Sequence, residues 1–340
     1  MIPYTTVIVT YSNRGHLLSS VVSSTVSSGC DHVIIIDNGS DVESKKLINE
    51  LPALYNLVKF TVSTNDRNEG SAIAFSHGMD LASNTKNEFV LFLDDDNLLE
   101  EGAVQRAINI ASQESECKSV FFLLREDRPH YMEFIRTRRK EVLLGEENSF
   151  MAFTLKKYIK NIFSKKININ EKHYFGKDSV EYLSVPCGPY GGMLTRKSIL
   201  NKGMRPMKDM ILYFDDTKYT YDLSSAGIKL YLLTNCLIKD IDDSWSAIKT
   251  SKLSSPIFSA GDFKIHHTIR NRVFFEMTVT TTRKSIYIMN IFSFMLILFL
   301  KALLSNNLKV YLKILRSICD GFDFYEKNKK QLAMTCEGDE

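Results

Sequence analysis

Two groups of adjacent carboxylates carry the chemical interest of this chain, Asp94-Asp95-Asp96 and Asp215-Asp216. The first ends the run Phe89-Val90-Leu91-Phe92-Leu93, a stretch of β-favouring residues that turns abruptly acidic. Neighbouring carboxylates repel, so the triplet calls for a cation. Hard oxygen ligands suit Mg²⁺ or Mn²⁺, which in turn suit the phosphates of a nucleotide. The competing reading is a solvated acidic turn that caps the next helix. The second pair follows Met210–Phe214, an apolar run read as a strand, and precedes a helix expected over Lys218–Ala226, which it could simply cap. Sugar transfer by direct displacement needs a base for the attacking hydroxyl and a cation for the departing diphosphate. One acidic cluster for each task fits that division.

Three polar turns accompany these carboxylates. Thr10-Tyr11-Ser12-Asn13-Arg14 follows the first apolar run, where small and polar groups can meet a base or ribose at the sheet edge. Asp37-Asn38-Gly39-Ser40 offers an acceptor for a base N–H or for ribose hydroxyls, and is equally an ordinary turn. Asn65-Asp66-Arg67-Asn68-Glu69-Gly70-Ser71 leads into a helix start whose free N–H groups favour anions, with Arg67 able to contact a phosphate.

The elements that must position these turns read as alternating strands and helices. Residues 5–10 and 32–37 are β-branched strands joined by a crossover helix from Gly15 to Ser28. Lys59–Ser63, Phe89–Leu93 and Ser119–Leu124 continue the strands, with helices over Ser71–Ala82 and Gly102–Ser112. The pattern predicts a parallel sheet buried on both faces, with ligands outside the carboxyl ends of its strands. From Arg125 to Val180 the periodicity weakens and basic residues gather, as in a mobile cationic loop that meets phosphate or a merely solvated one. Order returns at Leu183–Leu194 and Lys229–Leu233.

The 340 residues are 44% hydrophobic and 24% charged, enough for a real core, and a net charge of +3 gives no reason to expect a nucleic acid partner. Six scattered cysteines form no zinc spacing and fit buried thiols in a reducing cytoplasm. The amino terminus reads as a strand, with none of a signal peptide's basic start, so an intracellular location is expected. The tail differs in kind. Ile286–Leu300 is almost wholly apolar, short of the roughly 20 residues of a span unless extended to Leu304. Residues 270–330 hold 11 Lys or Arg against 4 Asp or Glu. A basic, apolar tail suggests attachment to an anionic membrane surface, with a buried core helix or a true span as alternatives.

Taken in order, these features resemble the family 2 glycosyltransferases over roughly residues 5–275. IVTYSNR is similar to the family's first-strand motif, IIIDNGS to its second-strand acidic turn and NEGSAIAFSHG to its Gly-rich helix start. FLDDDN resembles the metal-binding Asp-x-Asp. GPYGGMLTRKSI and YFDDTKYTYDLSSAG resemble the acceptor-side strand and the motif of the base, and IRNR at 269–272 resembles a segment of the rhamnosyl- and galactofuranosyl-transferase branch.

The resemblance implies an α/β GT-A fold, a Rossmann-like, mostly parallel sheet flanked by helices, here with a helical, membrane-associating C-terminal extension. It implies that Asp94 and Asp96 hold Mn²⁺ or Mg²⁺, that Asp37 contacts a uracil or thymine base, and that Asp216, beside Asp215, is the catalytic base. Thr10, Tyr11, Arg14, Asn38, Arg67, Asn68, Gly70 and Asp95 would complete the donor nucleotide site. Tyr190, Gly191, Gly192 and Arg270 would form the sugar and acceptor floor. Ser71, Ser76 and Asp222 depart from the family pattern, and Asp240, Asp242 and Asp243 stand where a metal-ligating His is usual, so Asp240 is the expected third ligand. His266 and His267 are alternative ligands, with a structural or acceptor role favoured. The expected division is 1–124 for the nucleotide-sugar half, 125–275 for the acceptor half with a basic insertion at 125–180, and 276–340 for the tail. The expected activity is inverting transfer from a UDP- or dTDP-sugar to a lipid-linked saccharide of a bacterial surface polysaccharide, on the cytoplasmic face of the membrane. The rivals are a catalytically silent protein of the same fold and a sugar nucleotidyltransferase, which would want a Gly-rich loop where Ser12-Asn13-Arg14-Gly15 stands.

Overall fold

The computed structural model describes residues 1–114, 117–163, 181–242, 255–259 and 261–336. In chain order the strands are β1 (Tyr4–Ser12), β2 (Cys30–Ser40), β3 (Lys59–Asn65), β4 (Phe89–Asp94), β5 (Asn97–Leu99), β6 (Ser119–Leu124), β7 (Tyr182–Ser184), β8 (Met193–Arg196) and β9 (Lys229–Asp240). The helices are α1 (Gly15–Ser27), α2 (Val42–Leu54), α3 (Ser71–Ser83), α4 (Ala103–Gln113), α5 (Pro129–Thr137), α6 (Glu141–Leu144), α7 (Leu155–Phe163), α8 (Lys197–Leu200), α9 (Asp215–Ser225), α10 (Asp262–Phe275), α11 (Lys284–Leu304) and α12 (Leu308–Cys336).

The described residues of Met1–Leu143, Gly176–Ile211 and Asp215–Ser244 form one compact unit. Its sheet runs β3-β2-β1-β4-β8-β6-β9-β5, with β7 paired to β9. β3, β2, β1 and β4 are parallel, as the alternation of strands and helices predicts, and β8 enters antiparallel between β4 and β6. Strand side chains alternate between two cores. Val7, Ile34, Ile36 and Phe92 pack with α3, α5 and α9 on one face, while Ile8, Val33, Ile35 and Leu91 pack with α1, α2 and α4 on the other.

Two local expectations are corrected. Met210–Phe214 is no strand: one short 3₁₀ turn over Lys208–Met210 gives way to backbone with φ of 57° at Ile211, 64° at Tyr213 and 63° at Phe214. Left-handed φ values break strand geometry, so the chain kinks straight into α9, which starts at Asp215 and not at Lys218. The described part of the basic insertion is not an irregular loop either, because it forms α5, α6 and α7; residues 164–180 lie outside the described residues.

The other unit comprises the described residues of Leu144–Phe175, Leu212–Phe214 and Trp245–Glu340. Its core packs Ile265, Ile269 and Val273 of α10 with Tyr287, Met295 and Leu298 of α11 and Ile314 and Ile318 of α12. The buried carboxylate of Glu276 accepts from Arg272 Nε at 2.7 Å, Tyr287 Oη at 3.0 Å and Met151 N at 3.0 Å. Asn271 Nδ2 donates to the carbonyls of Leu212 at 2.7 Å and Tyr213 at 2.9 Å, securing the irregular stretch before α9.

Gly78 lets α3 lie directly on β1, since a Cβ there would overlap Val7 Cγ1. A Gly78→Ala substitution is expected to lower stability by about 1–3 kcal/mol through overpacking, despite the better helix propensity of Ala. Urea denaturation checks it; an unchanged or raised midpoint would contradict this packing account.

Candidate active site

Three parallel strands end at one edge. Register pairs Val9 with Asp94 and Thr10 with Asp37, so these residues reach the same carboxyl end of the sheet. β5 folds back there and pairs antiparallel with the end of β9, setting Asn97 opposite Asp240.

Asn97, fully buried, organises the acidic edge. Its Oδ1 accepts from Asp94 N at 2.9 Å and from Arg125 Nη2 at 3.0 Å. Its Nδ2 donates to Asp96 Oδ1 at 3.1 Å and Asp240 Oδ1 at 2.9 Å. Arg14 donates to Asp95 at 2.8 Å and Asp96 at 2.9 Å, and also binds Asp242. Arg125 lies 3.2 Å from Asp94 and 3.6 Å from Asp240, whose other oxygen takes Arg128. Burial opposes the charged form of Arg14 and of Arg125, yet the aspartates outweigh it and hold both firmly cationic. Burial pushes Asp95 up to about 7 against the pull of Arg14 and Thr10. Burial, reinforced by the charges of Asp94 and Asp240, pushes Asp96 up to about 6.

Six aspartates (94, 95, 96, 127, 240 and 242) thus face three guanidiniums, so negative charge is in excess when all are ionised. That excess and an all-oxygen donor set fit one divalent cation such as Mn²⁺ or Mg²⁺. Among the described residues no group of three or more His, Cys, Asp or Glu is arranged to hold an ion unaided. A cation on Asp94 and Asp96 would therefore complete its shell with water and phosphate oxygens, the usual habit of Mg²⁺ with nucleotides. Asp240, the expected third ligand, has its oxygens engaged by Asn97, Arg125 and Arg128. Asp243 lies outside the described residues.

The remaining candidates divide by role. Asp37 is buried, with Oδ1 accepting from Ser40 N at 2.8 Å and Oδ2 without a hydrogen-bond partner. Thr10 is turned inward and donates to Asp95 Oδ2 at 2.7 Å, which makes it a support for the triplet. Tyr11 is exposed beneath the Arg14 guanidinium, 5.4 Å from ring to cation. Asn38 locks the following loop: it donates to Asn68 Oδ1 at 2.9 Å and Gly70 O at 3.3 Å, and accepts from Asn65 and Glu69. Arg67 is exposed. Gly70 has φ of 94°, and a Cβ would overlap the Ile211 carbonyl. A Cβ on Gly191 would overlap Arg125 Nη2, Asn97 Oδ1 and Asp94 Oδ2, so bare backbone forms the wall of the acidic pocket. Gly192 bridges β4 and β6, donating to Phe92 O at 2.8 Å and accepting from Leu123 N at 2.9 Å. Tyr190 is buried against Phe75 at 4.2 Å. Arg270, His266 and His267 belong to the other unit: Arg270 lies over Phe324 at 4.6 Å, His266 is 3.5 Å from Asp320, and His267 packs tilted against Phe263 at 4.4 Å.

The second acidic pair is differentiated. Asp215 is 2% exposed and accepts from Ser71 Oγ at 2.8 Å, so the Ser that departs from the family pattern ties α3 to α9. Asp216 is half-buried and, among the described residues, accepts through Oδ1 alone, from the backbone N of Thr217 at 2.6 Å and its hydroxyl at 3.1 Å. Burial raises both carboxyls; the charge of Asp216 raises Asp215 further, while Asp94 raises and Arg125 lowers Asp216. The Asp94–Asp96 triplet and the pair at the start of α9 therefore share one field. Asp222 is neutralised by Lys218 Nζ at 2.6 Å. Arg125 and Asn97 are the parts that sequence reasoning missed, although Asn97 follows the triplet directly.

Residues 6–203 match the family described as Glycosyl transferase family 2, which is more than half of the chain. The chain belongs to that family. The matched range takes in Asp37, the Asp94–Asp96 triplet and Gly191, and stops short of Asp216. Solved structures agree on a GT-A fold. GalNAc-T7, determined with UDP, GalNAc and Mn²⁺, is similar at a TM-score of 0.52 and 15% identity, over 82% of this chain and 48% of that one. This family 2 chain thus spans about half the length of that neighbour. A mannosyltransferase from Pyrobaculum calidifontis, PcManGT, in complex with GDP-Man and Mn²⁺, is similar at 0.52 and 10% identity, over 96% of this chain and 87% of that one. No curated protein sequence matches the chain.

Replacing Asn97 by Ala would strip Asp96 and Asp240 of a donor and Arg125 of an acceptor. It is expected to cost about 1–3 kcal/mol for each buried group left without a partner. Thermal unfolding of the variant checks this, and an unchanged Tm would show the amide to be dispensable.

Proposed function

We propose that this chain is an inverting, metal-dependent hexosyltransferase. It moves a sugar from a UDP- or dTDP-linked donor to a lipid-linked saccharide in the making of a bacterial surface polysaccharide such as O-antigen or capsule. The observation that carries the reading is the half-buried Asp216, whose hydrogen bonds from described residues go to Oδ1 alone, in the same field as Asp94 and Arg125.

Asp216 Oδ2 takes the proton of an acceptor hydroxyl, whose oxygen attacks the anomeric carbon opposite the diphosphate. The new C–O bond forms as the bond to the diphosphate oxygen breaks, so configuration inverts. A divalent cation on Asp94 and Asp96 would neutralise the leaving diphosphate. Arg125, held against Asp94 and Asn97, adds fixed positive charge nearby, and the bare backbone of Gly191 leaves room for the sugar. The unpartnered Asp37 Oδ2 suits the imide N–H of uracil or thymine. Both solved neighbours hold a nucleotide or nucleotide-sugar with Mn²⁺, which supports the metal-dependent reading. The basic, apolar C-terminal region supports a peripheral location on the inner membrane face, where a lipid-linked acceptor is presented.

Calorimetric titration with UDP, dTDP and GDP, each with Mn²⁺ and with EDTA, tests the donor site. Metal-dependent binding of a pyrimidine nucleotide is expected, and its loss in Asp94→Ala/Asp96→Ala; no binding of any nucleotide would overturn the reading. Asp216→Asn is expected to lower transfer by about 10²–10⁴-fold while leaving nucleotide binding intact. A base must be ionised to act, and burial raises Asp216 above the usual carboxylate range. Transfer in the wild type is therefore expected to fall with decreasing pH at a higher pH than an ordinary aspartate would set. A pH–rate profile flat through the acid range would exclude Asp216 as the base.

A further inference from the structure

We propose that the second unit carries a lipid-docking surface, formed by the outer face of α11 together with the amphipathic helix α7, and that its occupant is an anionic bilayer. The proposal deepens the membrane location just given and rests on that reading.

α11 is apolar all round, which suits a helix surrounded by protein or by lipid. Among the described residues one side packs on protein: Tyr287, Met295, Leu298 and Ala302 are buried in the core of the unit. On the opposite side Ile288, Phe292, Leu296, Leu300 and Leu304 recur every fourth residue and are exposed, Phe292 by 70% and Leu304 by 72%. At 1.5 Å per residue this stripe is about 24 Å long. Soluble monomers rarely leave so long an apolar strip uncovered.

α7 adds a second surface of the same kind. None of its residues is buried. Helical spacing places Leu155, Tyr158, Ile159, Ile162 and Phe163 on one side and Lys156, Lys157 and Lys160 on the other. Its start is fixed to α11, because Leu155 N donates to Asn290 Oδ1 at 2.9 Å and Phe153 packs on Phe294 at 5.6 Å.

Charge selects the occupant. Residues 148–163 and 277–319 contain no Asp or Glu, but the second stretch alone has six Lys or Arg. Three of the lysines are engaged, Lys157 by Glu146, Lys313 by Asp262 and Lys284 by Glu326 at 3.9 Å. A second copy seated on this face would bring like-charged rims together, whereas anionic headgroups complement them. The helix lies on the bilayer and does not cross it. Asn290 is buried and donates to Asn148 O at 2.8 Å, so a crossing α11 would carry the irregular backbone of 148–154 to hydrocarbon depth.

The test is flotation of the full chain with vesicles of phosphatidylcholine alone and of phosphatidylcholine with phosphatidylglycerol. The wild type is expected to float with the anionic vesicles and far less with the neutral ones. Phe292→Glu/Leu296→Glu should lower binding by more than tenfold. Lys156→Gln/Lys160→Gln should lower binding to anionic vesicles by about 30-fold, leaving the weak neutral binding unchanged. Unaltered circular dichroism in each variant guards against misfolding, and nucleotide calorimetry reads the transferase assignment independently. Failure to float, or equal binding to both vesicles, would overturn the proposal. So would a wild-type dimer that Phe292→Glu/Leu296→Glu converts to monomer without any vesicle binding. Retention of the chain in membranes after alkaline carbonate extraction would overturn the on-surface placement.

Discussion

One buried amide holds the acidic edge in register, because Asn97 uses both its oxygen and its nitrogen on charged or backbone partners. Carboxylates gathered this closely repel one another, and taking them out of water adds to the cost. Arg14, Arg125 and Arg128 supply most of the opposing charge. The balance left over is negative, which is the condition for holding a divalent cation. Gly191 follows from the same constraint, since any side chain there would collide with Arg125, Asn97 and Asp94.

A second constraint separates the two aspartates at the start of α9. Ser71 draws Asp215 into the interior and fixes α3 to α9, which leaves Asp216 half-open toward the field of Asp94 and Arg125. Gly70 belongs to this arrangement because its left-handed backbone brings the start of α3 onto the Ile211 carbonyl. A residue that breaks the family's usual pattern therefore acts as a positioning device, and Asp222 is likewise absorbed by Lys218.

Much of the sheet was legible because β1, β2 and β4 are dense in β-branched and aromatic residues and are buried on both faces. The polar turns after β1, β2 and β4 were legible for the same reason: each directly follows such a strand. Met210–Phe214 was misread because apolar content alone does not report backbone handedness, and the left-handed φ values there depend on Asn271 holding the carbonyls of Leu212 and Tyr213. The basic stretch from Arg125 gave a composition without a periodicity, so neither its short helices nor the inward aim of Arg125 could be read from it.

The strands β1, β2, β3, β4 and β6, the placing of Asp37 and Asp94–Asp96 at strand ends, and the apolar character of α11 were all determined by the sequence itself. They rest on local periodicity and on residues next to each other in the chain. Tertiary structure alone decided which carboxylates are met by guanidiniums, which of Asp215 and Asp216 stays open, and which side of α11 remains bare. Those outcomes join residues far apart in sequence, such as Arg14 with Asp242, Ser71 with Asp215 and Leu155 with Asn290, and only packing brings such pairs together.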